Sequence, residues 1–305
     1  MTTTSAPPAP ASPKAIPVRH YGQWVAAAVV VLLVALLVRA IAANETIVWS
    51  VIRSRIADSA ILSGLLVTIW LTIASMLLGT LGGIALAVMR LSDNRLLSTL
   101  SGLYIWLLRG TPVLVQILLW FNLALFFPRL GLGPLSVETN AFITPFVAAL
   151  LALSLNEAAY MAEVVRGGIL SVDRGQREAG EALALGRGQI MRRIILPQAM
   201  RVIIPPTGNE LVTLFKTTSL VAVIGAGDLL TRAQAIGAVD FTRMEMLIVA
   251  SIWYLAITTV ATYGQMLLER RFARGVHTIN APTLGATLLR NLRPGRMAAP
   301  GGDRP

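Results

Sequence analysis

The sequence predicts an all-α fold: a polytopic bundle of six transmembrane helices, in which a five-span core follows one extra N-terminal helix. Hydropathy is the first observation that predicts this class, since the 305-residue chain has a mean hydropathy of +0.70. The second is the length of its apolar runs, several of which reach the ~20 residues that a helix needs to cross a bilayer. These runs are too continuous to alternate as barrel strands do, so they favour helices.

The first apolar run covers residues 24–43 and follows a tail, 1–23, that is rich in Pro, Ser, Thr and Ala. Such a tail has too little apolar surface to offset the entropy of ordering, so it is expected to be disordered. The run itself is interpreted as an extra N-terminal transmembrane helix. A cleaved signal peptide is the alternative, because small residues that resemble a cleavage site end the run. Retention is favoured, since the tail is long and the run continues past Arg39.

Five further apolar runs each predict one span of the core. Their approximate bounds are 61–89, 103–127, 142–165, 206–227 and 246–268. The run at 206–227 is the least regular, because Pro206, Glu210 and Lys216 interrupt it. Within the first of the five, GTLGG (79–83) offers a Gly-xxx-Gly face, which favours close approach of another helix.

Basic residues predict the orientation, because Lys and Arg accumulate in cytoplasmic connections. Arg90, Arg95 and Arg109 stand between the second and third spans. Seven more arginines lie in the connection 166–203, whereas the segments on the other side carry only one or two basic residues each. Both termini, including a basic tail at 276–305, and the connection are therefore expected in the cytoplasm.

Composition excludes several kinds of chemistry. The chain has no cysteine, which excludes disulfides, thiolate metal sites and cysteine nucleophiles. The only histidines, His20 and His277, lie outside the predicted spans, so no histidine metal site or acid–base pair is expected. The only lysines, Lys14 and Lys216, do not follow the glycine spacing of a phosphate-binding loop. We expect no catalytic residue, metal or cofactor in this chain, and the net charge of +11 is attributed to topology rather than to nucleic acid.

A charged segment, GQREAGEALALGRGQIMRRIILPQ (175–198), lies within the cytoplasmic connection. Good helix formers fill its first half, and a helix would place Ile190 and Ile194 on one apolar face. Pro197 is expected to end the helix. The segment therefore predicts an amphipathic helix pair. Pattern alone leaves two interpretations open: the pair lies on the acidic inner leaflet against membrane lipid, or it docks on another protein.

Five blocks together resemble the permease subunits of ATP-binding-cassette importers, in the branch that serves polar amino acids such as His, Glu, Gln, Arg and opines. They are RGTPVLVQ (109–116), SLNEAAYMAEVVRGGI (154–169), GQREAGEALALG (175–186), RRIILPQAMRVIIPPTGNELV (192–212) and KTTSLVAVIG (216–225). The resemblance covers about 60–275 and implies the transmembrane domain of a type I importer permease.

In this family the charged loop forms a coupling helix that docks on a separate ATPase subunit. The positions that correspond to the loop are Glu178, Ala179, Gly180, Ala182, Ala184, Gly186, Ile194, Leu196 and Pro197. Glu178 is expected to supply a charged contact, and the small residues to allow close approach. The chain departs from the family at Gly180, usually Ala, and at Ala184, usually Gly. Ala184 is expected to continue the helix where the family often has a turn.

Polar residues in the fourth and fifth spans are candidates for the substrate path, because such groups usually face the bundle interior or a water-filled cavity. The candidates are Asn156, Tyr160, Asn209 and Lys216. A structural role for them is equally open. For Glu163 and Glu210, an interfacial position or an ion pair with a neighbouring Arg166 or Lys216 is favoured over substrate contact.

The block Arg109, Gly110, Thr111, Pro112 and Gln116 is expected to be structural or to take part in gating. Thr111 is predicted to cap a helix whose first turn contains Pro112, where the missing N–H is harmless. Arg109 is expected to mark the cytoplasmic boundary of the span. Direct ligand contact by this block is the alternative.

The resemblance implies a permease subunit that moves polar amino acids across the cytoplasmic (inner) membrane. It implies two ATPase subunits that bind ATP-Mg, an extracytoplasmic solute-binding protein, and a second permease that is either identical or a close paralogue. A self-sufficient channel or secondary transporter for small polar solutes is the alternative, which the signature loop disfavours. A membrane-embedded enzyme is disfavoured by the absence of suitable catalytic groups in the spans.

Overall fold

The computed structural model describes residues 21–131 and 136–272, and most of these residues are helical. The helices are α1 (Tyr21–Ala42), α2 (Trp49–Arg55), α3 (Ser59–Arg90), α4 (Arg95–Gly110), α5 (Val113–Phe121), α6 (Thr139–Phe142), α7 (Pro145–Leu170), α8 (Arg174–Ala182), α9 (Arg187–Ile190), α10 (Leu196–Thr217), α11 (Leu229–Val239) and α12 (Arg243–Phe272). A short antiparallel pair, β1 (Arg129–Leu130) and β2 (Val137–Glu138), precedes α6. Within the described residues, four helices are long and apolar enough to cross a membrane, and two bent pairs raise the number to six. The predicted helical bundle is confirmed.

The chain divides into two units, residues 1–50 and 51–305. In the first unit, α1 covers the predicted N-terminal run, and its large apolar side chains are exposed along the helix. Residues 1–20 of the first predicted tail, all of the second tail at 276–305, and both histidines lie outside the described residues. The last three positions of the first tail, 21–23, belong to α1, which begins at Tyr21.

The core of the second unit is the close packing of α3 on α7, which run parallel. A Cβ atom added at Gly79 would lie 2.6 Å from Glu157 Cβ, and one added at Gly83 would lie 2.5 Å from Met161 Cβ. Helix association in a bilayer depends on such contacts, because lipid supplies little hydrophobic driving force between helices. The Gly-xxx-Gly face predicted at 79–83 is therefore the contact surface between the two helices.

The third predicted span, 103–127, is not one straight helix. α4 and α5 meet at an angle of 101°. Proline causes the break, since Pro112 has no N–H to continue the helix and favours an extended residue before it. Thr111 has that extended conformation, with φ −112° and ψ 142°.

The fifth predicted span, 206–227, is part of a longer helical stretch. Helix is continuous over Arg187–Ile224 and then bends by 46° into α11. The prediction that Pro197 ends the helix is wrong. Pro197 lies in the first turn of α10, after a π-helical turn at Met191–Ile195 whose wider hydrogen bonds accommodate the missing N–H. The 46° bend follows instead at Gly225 and Gly227, which have φ of +67° and +79°.

The broken helix α10–α11 runs antiparallel to α3. Ile203 of α10 packs in one cluster with Ala87, near the end of α3. At the start of α11, the Leu229 N–H donates to Thr68 Oγ1, 3.0 Å away, in the first half of α3. The bundle has two ends. The end at which α3 and α7 finish is called the arginine-rich end, and the end at which they begin is called the opposite end.

We predict that Gly83→Ala destabilises the bundle by about 1–3 kcal/mol, because the added methyl group overlaps Met161. The midpoint of thermal unfolding in detergent measures the effect. Gly264→Ala is the matched control, since this helical glycine has nothing within 4 Å of an added Cβ atom. A variant at Gly83 that unfolds at the same temperature as the control would contradict the packing account.

Candidate functional site

A cavity of 430 Å³ lies between α7 and α10, next to the start of α5. Its polar lining consists of Asn156, Glu157, Tyr160, Glu210, Thr213 and Thr217, and its apolar lining of Val113, Leu153, Leu214 and Leu220. Helical periodicity accounts for the polar set, because residues three, four or seven apart share one face of a helix. The cavity is large enough for a small polar molecule.

Two carboxylates give the cavity its chemistry. Glu157 is only 5% exposed, and its Oε1 atom has no hydrogen-bond partner among the described residues. Glu210 is partly buried on the facing helix. A charged group near the centre of a bilayer costs about 2.5–3.5 kcal/mol, so two acidic groups at one cavity are candidates for a functional role.

One cation lies at the rim of this cavity. The Arg109 guanidinium stands 5.0 Å from the centroid of the Tyr160 ring, within the range of a cation–π interaction. Arg109 ends α4 and is exposed.

A polar network closes the break between α4 and α5. Gln116 Nε2 donates to the Leu108 carbonyl at 2.8 Å and to Thr111 Oγ1 at 2.8 Å. Asn156 Nδ2 donates to the same Leu108 carbonyl at 3.0 Å and to Gln116 Oε1 at 3.2 Å. Carbonyl groups that a helix break exposes in a membrane need partners of this kind, because water is scarce there. The network therefore fixes α5 against α7 beside the cavity.

The predicted cap at Thr111 is wrong. Thr111 Oγ1 donates back to the Leu107 carbonyl at 2.9 Å, at the end of α4. The residue before α5 is Pro112, which makes no side-chain cap bond. A threonine followed by proline is typical of a helix start, because proline often follows a capping residue. Here Thr111 and Pro112 instead separate α4 from α5. Gly110 and Thr111 are exposed at that break.

The predicted substrate-path residues divide into two groups. Asn156 and Tyr160 line the cavity. Asn209 instead accepts a hydrogen bond from Gln265 Nε2 of α12 at 2.9 Å. Lys216 is exposed and is not among the lining residues.

The two glutamates for which ion pairs were favoured also behave differently from one another. Glu163 pairs with Arg166 at 2.6 Å, as expected. Glu210 lines the cavity, contrary to expectation. Glu157, Thr213 and Thr217 were not assigned to the path from sequence. The spacing of Glu210, Thr213 and Thr217 places these three residues on one helical face. This spacing is the sequence signal that identifies the two threonines.

The predicted amphipathic helix pair consists of α8 and the helix that begins at α9. Asp173 caps α8 through a 2.7 Å bond from the Gly175 N–H. Gly180 is buried, and a Cβ atom added there would lie 2.9 Å from Ile190 Cγ1 and 3.1 Å from Ile194 Cδ1. Gly180 therefore packs inward, and its small size serves the contact within the pair rather than an outward surface.

The outward face of α8 carries the remaining candidates. Glu178, Ala179 and Ala182 are exposed, and Leu183, which the sequence analysis did not single out, is 74% exposed. Further along the loop, Leu196 and Pro197 are exposed as well. An exposed leucine beside small residues and one acidic group is a surface that suits a protein partner.

The loop turns sharply after α8, and the expectation that Ala184 continues the helix is wrong. Ala184 has φ +54°. The Leu185 N–H donates to the Gly180 carbonyl at 3.1 Å and the Ala184 N–H to the Glu181 carbonyl at 2.9 Å, which is the Schellman pattern. These two bonds outweigh the helix propensity of alanine. Gly186 then begins the next helix, with its N–H donating to Gln189 Oε1 at 3.1 Å.

Comparisons with known proteins agree on one family. A family model described as the inner membrane component of binding-protein-dependent transport systems matches residues 79–274. An arginine transport system permease protein of Corynebacterium glutamicum is 44% identical over 282 residues, covering 90% of this chain and 89% of that protein. An arginine transport system permease protein of Bacillus subtilis is 37% identical over 212 residues, covering 69% of this chain and 91% of that protein.

Solved structures point the same way. A crystal structure of an amino acid ABC transporter with histidines matches with a TM-score of 0.62 and 34% identity, over 70% of this chain and 94% of that one. An inward-facing methionine ABC transporter matches with a TM-score of 0.56 at 19% identity, over 76% of this chain and all of that one, and supports the fold alone.

We predict that Ala184→Gly stabilises the α8 turn by about 1 kcal/mol, because glycine adopts a positive φ without the steric cost that alanine bears. Hydrogen exchange of the α8 amides should slow. Ala182→Gly is the matched control, since it adds a glycine to the helix itself and should speed exchange. Faster exchange in the Ala184 variant would contradict the assigned turn.

Proposed function

Since this chain belongs to the family of inner membrane components of binding-protein-dependent transport systems, we propose that it is the permease subunit of an ATP-binding-cassette importer for polar amino acids. The observation that carries this function is the family match over residues 79–274, which includes both the cavity and the α8 loop. Membership in the family places the chain in the membrane and implies ATPase and binding-protein partners in general terms.

The complete transporter contains two copies of an ATPase subunit, each of which binds ATP-Mg, and a second permease that is identical or a close paralogue. The arginine-rich end and both termini face the cytoplasm, as the arginine distribution favours. The opposite end faces the solute-binding protein. A permease in this arrangement supplies different contacts in two states, and ATP binding selects between them.

Helix α8 is the coupling helix that docks on the ATPase. Its outward face supports this role, because Leu183 and Ala182 offer an apolar contact and Glu178 a charge that fixes register. Gly186, Ile194, Leu196 and Pro197 shape the loop around it. The continuous helix Arg187–Ile224 then carries motion of the dock to the cavity wall.

The transported amino acid is cationic, and arginine fits the cavity. Glu157 and Glu210 supply two carboxylates, one of them with an unpaired buried oxygen. A guanidinium group forms bidentate hydrogen bonds with a carboxylate, and such charged bonds are about twice as strong as neutral ones. Asn156, Tyr160, Thr213 and Thr217 complete the polar lining. Arg109 at the rim suits the substrate's own carboxylate. Both curated relatives cited above are named as arginine permeases, which supports the same substrate.

We predict that Glu157→Gln lowers kcat/KM for arginine uptake by about tenfold or more, because the charged hydrogen bond between the Glu157 carboxylate and the substrate's guanidinium group is lost. Uptake of labelled arginine into proteoliposomes that hold the complete transporter measures this. Glu138→Gln is the control, since that glutamate is exposed on β2 and does not line the cavity. Equal loss in both variants, or none at Glu157, would remove the acidic cavity from the path while leaving the family function intact.

We predict that Glu178→Lys uncouples ATP hydrolysis from uptake, because it reverses the charge at the dock. Arginine uptake per ATP hydrolysed should fall by about tenfold, an effect of about 1.4 kcal/mol on coupling. The size-matched Glu178→Gln should show a smaller loss, since it removes the charge without reversing it. Normal coupled uptake by the lysine variant would count against α8 as the dock.

A further inference from the structure

Residues 239–244, which comprise the last residue of α11, the connection and the first two residues of α12, form an exposed apolar tip at the opposite end of the bundle. Phe241 is 94% exposed, Val239 77% and Met244 67%. Phe241 therefore gains almost no packing from the described part of the chain. The three apolar side chains form one exposed patch beside Asp240 and Arg243, and an apolar patch with a polar rim is typical of an interaction site.

Backbone conformation makes Phe241 more unusual. Its φ is +57°, a left-handed conformation that a bulky side chain rarely adopts. The Thr242 N–H donates to the Gly237 carbonyl at 3.1 Å, so Phe241 occupies the position after α11 where glycine is usual. The chain thus carries backbone strain at a residue whose side chain packs on nothing described. Strain of this kind clusters at functional sites.

The tip is held rigidly although it protrudes. Asp240 Oδ2 accepts a hydrogen bond from Arg55 Nη2 at 2.7 Å, and Arg55 Nη1 donates to Asp58 Oδ2 at 2.8 Å. Asp58 in turn caps the start of α3 through the Ala60 N–H at 2.9 Å. One arginine therefore fastens the tip to the beginning of α3 and holds the backbone on which Phe241 is displayed. Preorganisation of this kind lowers the entropy lost when a partner binds.

A cavity of 310 Å³ adjoins the tip. Arg243 belongs to both, and Ala233, Gln234, Ala238 and Leu247 complete the lining. The tip thus combines the protruding Phe241 side chain with a neighbouring cavity, whose lining includes the charged side chain of Arg243. Interfaces of stable complexes are built in this way, with an aromatic anchor inside a polar rim.

Helix length places the tip outside the bilayer core. α12 rises about 40 Å between Arg243 and Arg270 at about 1.5 Å per residue. That distance matches a bilayer together with its headgroups, about 40–45 Å thick. Phe241 precedes Arg243 and follows Asp240, so charged residues flank it at the aqueous edge. A protein partner from the water phase suits this position better than lipid chains do.

We propose that the tip is a docking element for the extracytoplasmic solute-binding protein, and that Phe241 is its anchor. This inference rests on the proposed function, in which the opposite end of the bundle faces outward. The family description itself requires a binding protein for transport, and that protein must contact the outer end. An exposed aromatic side chain on a restrained backbone there offers a contact to a large, soluble partner.

The test uses the complete transporter in lipid nanodiscs, titrated with its binding protein loaded with arginine, and measures the ATPase rate. Phe241→Ala should raise the binding-protein concentration for half-maximal stimulation by about tenfold or more, with the basal rate unchanged. Phe241→Gly should weaken stimulation equally while raising the thermal unfolding midpoint, because it removes the strain. Leu255→Ala, at an exposed position of α12, should change neither.

Unchanged half-maximal concentration in Phe241→Ala would overturn the docking role. Separation of the two permeases in that variant, seen by size and mass, would instead assign the tip to a second copy of the chain and overturn it too. So would an effect that appears only when the nanodisc lipid is changed, which would assign the tip to the membrane surface. Absence of any stimulation in the wild-type transporter would contradict the proposed function itself.

Discussion

Backbone groups exposed at helix breaks must find partners inside a membrane, and this constraint determines where the site forms. At the first break, Gln116 and Asn156 bond the carbonyl of Leu108. At the second, the buried Asp228 side chain accepts the Leu230 N–H at 3.0 Å. The Asn156 bond ties the first break to α7, and the bond from the Leu229 N–H to Thr68 Oγ1 ties the second break to α3. The bend after α4 places Val113 at the cavity. The bend before α11 follows directly on the helical stretch Arg187–Ile224, which forms the cavity wall that faces α7.

One helical stretch connects the two functional parts of the chain. Gly180 of α8 packs on Ile190, at the beginning of Arg187–Ile224. Glu210 lies about 30 Å further along the same stretch, at about 1.5 Å per residue. A rotation of α8 would therefore reach the cavity wall through continuous backbone, while close packing of α3 on α7 provides a firm surface against which that wall can move.

Sequence predicted most of the membrane helices, because apolar runs and glycine spacing are local signals. The Gly79–Gly83 face and the Glu163–Arg166 pair also follow from local spacing. Pro112 signals a break at this point, but the angle of 101° could not be predicted, since Asn156, which lies far along the chain, supplies part of its stabilisation. Ala184 was misassigned because propensity ignores the two turn bonds that override it. Which way a polar residue of α10 points depends on packing, so Asn209 could not be separated from Glu210 by sequence.

Reconstitution of purified components distinguishes an ATP-driven importer from a self-sufficient transporter. Proteoliposomes would hold this chain alone, the chain with its partner permease and ATPase, or that complex with arginine-loaded binding protein. We expect arginine accumulation that requires ATP and appears only with the complete set. Arginine uptake by the chain alone, at a rate that neither ATP nor the other subunits change, would contradict it and identify a self-sufficient channel or secondary transporter.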